Sequence, residues 1–585
     1  MDTPSEHSSL LHSKDTTTSA RNNTIYSIDL GPTTPRTTRT DKDNDAWDVA
    51  ISDLTLATIT RGSSFVAASC RSLSVTSSDG ANLRGDDGDD DDDDGPTTTA
   101  GLSLDLVDSP RSCASLFPAG NREDAATEED EPNVRDEFWR SMALAYPVVV
   151  TYTLEYLPGV VGIVLVGHMD SPDTKRFVAA ATLSAMFTNV SSLSIGFGLT
   201  SALDTLCSQA YGAGKLSKLG VYFQAGVLVI GACLVPVFLL NWHATTFLIW
   251  SGQDAHVAQL AGEFSRVTVF GVPFLFLYEL ARKVLQAQNI VRPMVLFALA
   301  GTFVNVVGGY ALTYWTPLGF HGAALSRTLG YMVLPLCLVP YFVVSRNYRL
   351  WWSGWQLKKA WALVPLFMRL GLPGMAMMVL EWWAYELLAV LAGNLPDGVV
   401  AVSTHAVLMN VASMIYMVFM GISISSNIRV GNCLGANCPK KARVISYITL
   451  STVSVLSCFF ALLLYVLRHQ IPLIVINDPV AVQRASNALL VLIPYVFVDS
   501  LNCAIQGIYK GAGWQNMAAK TNAVAFYGIG IPLGAVLSFH YGVGIEGLWI
   551  GFGVGVATAL TVCSINLYYA SWEQMALEAR ARLAH

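Results

Sequence analysis

Long runs of apolar residues, separated by short polar segments, follow one another from about residue 143 to residue 571. Each run is long enough for a helix to cross about 30 Å of hydrocarbon. A lipid-exposed backbone must satisfy its own hydrogen bonds, and runs of this length favour helices over barrel strands. The pattern therefore predicts twelve membrane-spanning helices, at 143–168, 178–209, 219–245, 262–286, 293–315, 321–345, 371–394, 400–428, 443–468, 486–509, 519–541 and 546–571.

The amino-acid composition supports the prediction of a membrane protein. The mean hydropathy is +0.44 and only 14% of the 585 residues are charged. Such a chain is far too apolar for an ordinary soluble enzyme of this size. We therefore predict an all-α membrane protein.

Charge divides the chain into two unlike parts. Residues 1–135 hold 26 acidic and 11 basic side chains, whereas residues 136–585 hold 17 acidic and 25 basic ones. The first part contains Ser and Thr clusters, eight aspartates between Asp86 and Asp94, and no sustained apolar periodicity. Because such a segment cannot bury enough surface to offset its chain entropy, we predict a disordered, acidic cytosolic tail over 1–135.

Near its start, the tail contains a short sequence that resembles a sorting signal. In "EHSSLL", Glu6, Leu10 and Leu11 have the spacing of an acidic dileucine motif, which adaptors recognise for delivery to vacuole-like or lysosome-like membranes. The motif is short, and a chance occurrence is the alternative. The first residues lack the basic and apolar regions of a signal peptide.

Basic residues predict the orientation of the helices. Lysines and arginines concentrate in the loops after helices 2, 4, 6, 8 and 10, and we call the side formed by these loops the basic face. The opposite side has little beyond Lys175, Arg176, Arg468 and Arg484. Because cytosolic loops carry the excess of positive charge, both termini are predicted to face the cytosol.

The sequence also contains an internal repeat. Pro147, Leu154, Glu155 and Gly167 recur at a constant offset of 226 as Pro373, Leu380, Glu381 and Gly393. Three further pairs keep the same order: "NVSS" with "NVAS", "AYGAGK" with "CLGAN", and "GFHGAALS" with "GIEGLWIG". Six helices separate the copies, so the two halves run in the same direction. We predict an N-lobe over 136–369, a C-lobe with a short cytosolic C-terminus over 370–585, and a binding cavity between them.

Two acids interrupt the apolar run of predicted helix 7, "LEWWAYELLAVLAG". A charged side chain at mid-bilayer costs about 2.5–3.5 kcal/mol on insertion scales, so Glu381 and Glu386 are expected to face protein or a wet cavity. They point about 140° apart around the helix and are predicted to flank one cavity wall. Packing of Trp382 and Tyr385 against their stems would favour neutral carboxyl groups. The alternative is that one glutamate only hydrogen-bonds to a neighbouring helix.

Predicted helix 10 carries a polar stripe on an otherwise apolar surface. Asp499, Asn502, Gln506 and Lys510 fall within about 60° of each other around the helix axis, so the stripe is expected to line water. Lys510 lies at the cytosolic end, where an anchoring role at the membrane surface is favoured over a role in the cavity.

Five sequences together resemble the multidrug and toxic compound extrusion (MATE) family in its eukaryotic branch. They are "SALDTLCSQAYGAG" (201–214), "LEWWAYELL" (380–388), "NIRVGNCLGA" (427–436), "GIYKGAGWQ" (507–515) and "IEGLWIG" (545–551). The resemblance covers about 136–571. It implies two six-helix lobes in a V shape and export of organic solutes, commonly cations, in exchange for protons or sodium.

The resemblance also implies roles for individual residues. Glu381 matches the family's essential acid, and Asp499 lies where the family has an acid of the C-lobe proton site. Asn410 stands where some animal members carry an acid, which weakens the case for cation preference. Gln209 and Asp204 belong to the helix 2 motif, and for Asp204 a structural role is favoured over a gating one.

One further acid is expected to have a structural role. Glu279 is three and four residues from Arg282 and Lys283, a spacing that predicts a helical ion pair at the membrane edge.

These observations predict a secondary active antiporter and not an enzyme. We expect cationic or amphipathic solutes to bind the ionised C-lobe, in contact with the aromatic faces of Trp382, Trp383 and Tyr385, and protonation to release them. Protons are the expected coupling ion, with sodium as the alternative. We expect a monomer in the vacuolar or plasma membrane, with no cofactor, metal site or nucleic-acid partner.

Two other functions are weighed against this one. A flippase for lipids or lipid-linked precursors would share the two-lobe architecture but would need a wide cationic cavity, and central Arg and Lys are scarce. A membrane-embedded enzyme is disfavoured because the sequence lacks HExxH, clustered His or Cys ligands and a nucleophile motif; "GAGK" at 212–215 lacks the spacing of a P-loop.

Overall fold

The computed structural model describes residues 133–474 and 479–584. Within these ranges the regular structure is helical, without strands, and twelve helices are long and apolar enough to cross a membrane. The predicted all-α fold is confirmed. Most of the predicted tail, with Glu6, Leu10 and Leu11, lies outside the described residues.

The twelve spans keep the order that the sequence predicts, and most of them are longer than the apolar runs. They are α1 Val134–Gly167, α2 Thr174–Gly212, α3 Leu216–Trp242, α4 Ala255–Ala287, α5 Arg292–Tyr314, α6 Phe320–Ser345, α7 Leu357–Gly393, α8 Val400–Gly435, α9 Pro439–Leu467, α10 Val482–Ala512, α11 Gln515–His540 and α12 Ile545–Tyr568. A short amphipathic helix, α13, follows at Trp572–Arg582.

Each lobe has its own apolar core. One large cluster joins α2, α3 and α4 of the N-lobe, and another joins α7, α8, α10 and α12 of the C-lobe. The predicted lobe boundary, between residues 369 and 370, falls inside α7. The first turns of that helix pack against the N-lobe core through Ala360 and Phe367. Helix α7 therefore begins on one lobe and continues into the other.

The two lobes are packed together at the basic face, where the repeated motifs cross. A Cβ atom on Gly212 would overlap the backbone carbonyl of Asn432, and one on Gly435 would overlap the carbonyl of Gln209. In the repeat, Gly212 corresponds to Gly435 and Gln209 to Asn432, both at an offset of 223. The ends of α2 and α8 thus meet in two reciprocal contacts that only glycine permits.

Further contacts between the lobes lie away from the basic face. Among the described residues, contacts near mid-membrane include the indole nitrogen of Trp383 with the carbonyl of Val190, 3.4 Å apart, and the hydroxyl groups of Tyr156 and Ser413. Beyond them on α1, the side chain of Val160 is exposed. We call the inter-lobe region beyond these contacts, away from the basic face, the cleft; the V shape stays what the resemblance implies.

The glycine crossing predicts that Gly212→Ala opens the basic face. The added methyl group overlaps backbone, which cannot be relieved by a rotamer change, so the closed packing should lose about 1–3 kcal/mol. Energy transfer between dyes on noncanonical residues at Ser217 and Asn516, exposed on either lobe at this face, measures the change. We expect lower transfer efficiency in Gly212→Ala.

The matched control is Gly231→Ala in α3, where a Cβ would meet nothing within 4 Å. This variant should keep the wild-type transfer efficiency. Equal efficiency in Gly212→Ala and wild type would show that the crossing does not hold the face closed.

Candidate ion- and solute-binding site

Two acids of the C-lobe lie together inside the lobe. Glu381 on α7 is 7% exposed and Asp499 on α10 is 9% exposed, and their carboxyl groups are close enough to repel each other. Tyr416 of α8 and Gln506 of α10 approach Glu381 as hydrogen-bond partners. The structure therefore brings the two predicted acids into one buried polar cluster.

Tyrosines extend this cluster toward the core. Tyr495 approaches the carboxyl group of Asp499, and its hydroxyl hydrogen-bonds to that of Tyr385. Tyr385 packs edge-on against Phe552, with ring centroids 5.2 Å apart. We call Glu381, Asp499, Gln506 and the hydroxyls of Tyr385, Tyr416 and Tyr495 the acid network. Sequence reasoning missed Tyr416 and Tyr495, because no local pattern shows that they face α7.

The polar stripe of α10 lines the acid network at one end and reaches the basic face at the other. Asn502 is 2% exposed, and its amide oxygen has no hydrogen-bond partner among the described residues. Lys510, at the end of the stripe toward the basic face, lies close enough to Glu381 to act on it electrostatically, and its anchoring role stays a prediction.

The two tryptophans of the motif face the N-lobe. Trp382 packs against the N-lobe core, and Trp383 is 48% exposed with its indole directed at Val190. The expected packing of Trp382 against the stems of the glutamates, and the expected contact of Trp383 with a solute, stay predictions.

Two further predicted residues lie farther from the basic face along their helices. Glu386, one turn beyond Trp383 on α7, is partly exposed and has no salt-bridge partner in the described part of the chain. Asn410 on α8 is exposed, one turn from Ser413, and its amide donates to the carbonyl of Ala406 at 2.8 Å. For brevity we call Trp383, Glu386 and Asn410, which are exposed or partly exposed on α7 and α8, the cleft residues; their expected role in solute binding stays a prediction.

Gln209 lies at the closed basic face. It is 1% exposed, and its amide nitrogen donates to the carbonyl of Gly511 at 3.0 Å, across the lobe interface. Nearby, Thr205 donates to the carbonyl of Lys510 at 2.5 Å. The structure places Gln209 in a contact between the lobes. The predicted role of Gln209 in proton or solute binding stays a prediction.

The N-lobe holds a second buried charge cluster. Arg282 joins Glu155, at 2.6 Å, and Glu279, while Lys283 joins Asp204 at 2.9 Å and Glu279 at 3.6 Å. The Arg282 side chain is 3% exposed. The predicted helical pairs of Glu279 with Arg282 and Lys283 are thus present, but they are buried and form the centre of a network that ties α1, α2 and α4 together.

A comparison with known families identifies the architecture. The family model MatE matches the chain twice, over residues 147–311 and 373–536. The two matches begin at Pro147 and Pro373, the first residues of the repeat. The chain belongs to the MatE family.

Members of this family with known names are similar over most of the chain. Multidrug and toxin extrusion protein 2 of Oryctolagus cuniculus is 33% identical over 76% of this chain and 73% of its own. Protein DETOXIFICATION 16 of Arabidopsis thaliana is 30% identical over 78% of this chain and 92% of its own. MatE membership confirms that the protein is a multi-pass membrane transporter and not an enzyme.

Solved structures show the same fold. The crystal structure of the eukaryotic MATE transporter AtDTX14 has 28% sequence identity and a TM-score of 0.73, and it covers 77% of this chain and 99% of that one. The Vibrio cholerae MATE transporter VcmN in the bent form has 17% identity and a TM-score of 0.66, over 77% and 99% of the two chains. The predicted two-lobe parallel repeat is thus confirmed.

The N-lobe network predicts a large loss of stability in Arg282→Leu. The substitution leaves Glu155 and Glu279 without the guanidinium that pairs with both, and breaking a buried ion pair costs about 3–5 kcal/mol. Thermal unfolding of the purified protein in detergent should show a clearly lower midpoint.

Arg176→Leu is the matched control, because Arg176 forms an exposed pair with Asp173 at 2.8 Å. Its unfolding midpoint should stay close to that of the wild type. A small effect of Arg282→Leu, similar to that of Arg176→Leu, would show that the N-lobe does not depend on the network.

Proposed function

We propose that this MatE protein is a secondary active antiporter that exports organic solutes, cationic or amphipathic xenobiotics or metabolites, in exchange for protons. The names of the rabbit and Arabidopsis relatives, which describe extrusion and detoxification, support this solute class. The observation that carries the coupling mechanism is the enclosed pair Glu381 and Asp499 in a membrane-spanning lobe.

The acid network has the chemistry of a proton site. Burial of two ionised carboxylates in an apolar environment costs desolvation free energy, and the two charges also repel each other. Binding of one proton lowers both unfavourable free energies. Lys510 offsets only one negative charge. A protonated carboxyl group becomes a hydrogen-bond donor, so Tyr416, Gln506 and Tyr495 would exchange donor and acceptor roles around it.

The cleft residues have the chemistry of a solute site. The exposed face of Trp383 can contact an organic cation, Glu386 supplies a negative charge one turn away, and Asn410 offers an uncharged hydrogen-bonding group. In this division, protons bind inside the C-lobe and the solute binds in the cleft beside it. Coupling then requires that the protonation of one site changes the packing of the other.

The closed basic face suggests which step this conformation represents. If the basic face is cytosolic in a vacuolar or plasma membrane, the cleft opens to the lumen or the exterior, where protons enter and solute leaves. The driving force is about 1.4 kcal/mol per pH unit plus about 2.3 kcal/mol per 100 mV for each charge moved. One proton across two pH units sustains about a hundredfold solute ratio for a neutral solute.

Glu381→Gln should abolish proton-driven accumulation. In proteoliposomes with an imposed pH gradient, the wild type should concentrate a fluorescent organic cation, whereas the variant should only equilibrate it, because glutamine keeps the shape but cannot bind the coupling proton. Asp499→Asn should behave in the same way.

Asp170→Asn, an exposed acid between α1 and α2, is the control and should transport as the wild type does. Accumulation by Glu381→Gln at the wild-type level would overturn the proton-site assignment. Accumulation driven by a sodium gradient alone, without a pH difference, would show that the coupling ion is sodium and not the proton.

Trp383→Ala should weaken solute binding with little effect on proton binding. Loss of a cation–π contact of about 0.5–2 kcal/mol should raise KM for the cation about two- to thirtyfold. Trp383→Phe should recover part of the affinity, and Trp355→Ala, which removes an exposed indole outside the cleft, should leave KM unchanged. An unchanged KM in Trp383→Ala would remove this residue from the solute site.

A further inference from the structure

Helix α13 connects the cores of the two lobes at the basic face. Its apolar side, with Trp572, Met575 and Ala579, packs into a C-lobe cluster that includes the end of α10. The next residue after the helix, Leu583, is 2% exposed and belongs to the N-lobe core. One short segment is thus anchored in both lobes.

Arg582 makes the polar part of this connection. Its Nη1 atom donates to the side-chain oxygen of Gln209 on α2, at 3.2 Å, and to the carbonyl of Ala512 at the end of α10, at 3.1 Å. Its Nη2 atom pairs with Glu578 at 3.2 Å. A single guanidinium therefore bonds to one residue from each lobe and to its own helix.

Two lysines fasten the end of the segment to the N-lobe. The Nζ atoms of Lys215 and Lys218 donate to the carbonyl of Leu583 at 3.1 and 2.7 Å. Positive charge near the last carbonyls of a helix is also favourable for the helix dipole. These two lysines belong to the basic loops from which the orientation of the helices is predicted. In the structure they also bind one specific acceptor, the carbonyl oxygen of Leu583.

The loop between α10 and α11 has a backbone conformation that leaves space for the Arg582 guanidinium. Gly513, between α10 and α11, has a φ of +79°, and a Cβ there would lie 2.7 Å from the Nη1 atom of Arg582. Trp514 donates from its indole nitrogen to Glu578 at 3.4 Å. Glycine supplies both the left-handed backbone and the space for the guanidinium.

The charge of Arg582 is enclosed but compensated. Its side chain is 15% exposed, and burial lowers its pKa while Glu578 opposes that shift. Arginine nevertheless stays protonated in proteins, so its loss would leave the carbonyl of Ala512 and the amide oxygen of Gln209 without this donor. These bonds lie across the lobe interface and cannot persist if the lobes separate there.

From this geometry we infer that Arg582 is a positioning residue of the transport cycle, which holds the basic face closed by fastening α2 to α10 through α13. Opening of the basic face requires its release from Gln209. The inference rests on transport by movement of the two lobes, and it is independent of the coupling ion and of the solute.

The test is the open-to-closed ratio of the basic face in full-length protein in nanodiscs. Dyes at Ser217 and Asn516 report the separation of the lobes by single-molecule energy transfer. In Arg582→Gln we expect the ratio of open to closed molecules to rise about tenfold, the effect of losing one charged hydrogen bond. Arg582→Lys, which can still reach one acceptor, should give an intermediate ratio.

Arg580→Gln is the matched control, since Arg580 is exposed on the same helix. Gln209→Leu, which removes the acceptor of Arg582 and the donor to Gly511, should also raise the open-to-closed ratio, and the double variant with Arg582→Gln should raise it by less than the product of the two single effects. An unchanged ratio in Arg582→Gln, with only a lower unfolding temperature, would show that α13 is a structural support and would overturn the inference. That result would leave the acid-network proposal standing, because proton-driven transport is measured separately.

Discussion

The reciprocal contact of two glycines with two backbone carbonyls is the constraint on which the arrangement of the lobes depends. Gly212 and Gly435 let α2 and α8 approach until each helix touches the other's backbone. At that separation, polar side chains of one helix come within hydrogen-bonding reach of the backbone of the other lobe. The hydrogen bonds of Thr205 and Gln209 to the end of α10 follow from this closeness.

The two lobes contain different kinds of buried polar network. The N-lobe pairs opposite charges, Arg282 and Lys283 with three acids, which fixes α1, α2 and α4 relative to one another. The C-lobe instead holds Glu381 and Asp499 with a single nearby cation, Lys510, and neutral hydroxyl and amide partners. A network of paired charges resists change, whereas a network with excess negative charge responds to a proton.

The sequence alone predicts the parts of this structure that local pattern encodes. Hydropathy locates all twelve spans because burial in lipid applies to every turn of a helix, and the repeat gives their direction. Pairing between helices is not encoded locally, so the sequence predicts the pairs of Glu279 within its own helix but not the network with α1 and α2, nor the partners Tyr416 and Tyr495. The sequence pattern does not predict helix α13, because this helix is short and polar. Its packing against both lobes is visible only in the structure.

Helix α10 is the element that connects the two functional regions. Asp499 and Gln506 belong to the acid network, and the carbonyls of Lys510, Gly511 and Ala512, within two further turns, receive the bonds that close the basic face. A helix transmits displacement along its axis because its backbone hydrogen bonds are stiff. A shift of α10 that follows protonation would therefore strain the bonds of Thr205, Gln209 and Arg582 together. In the proposed mechanism, α10 would therefore couple proton binding to closure of the basic face without any contact between the proton and the solute.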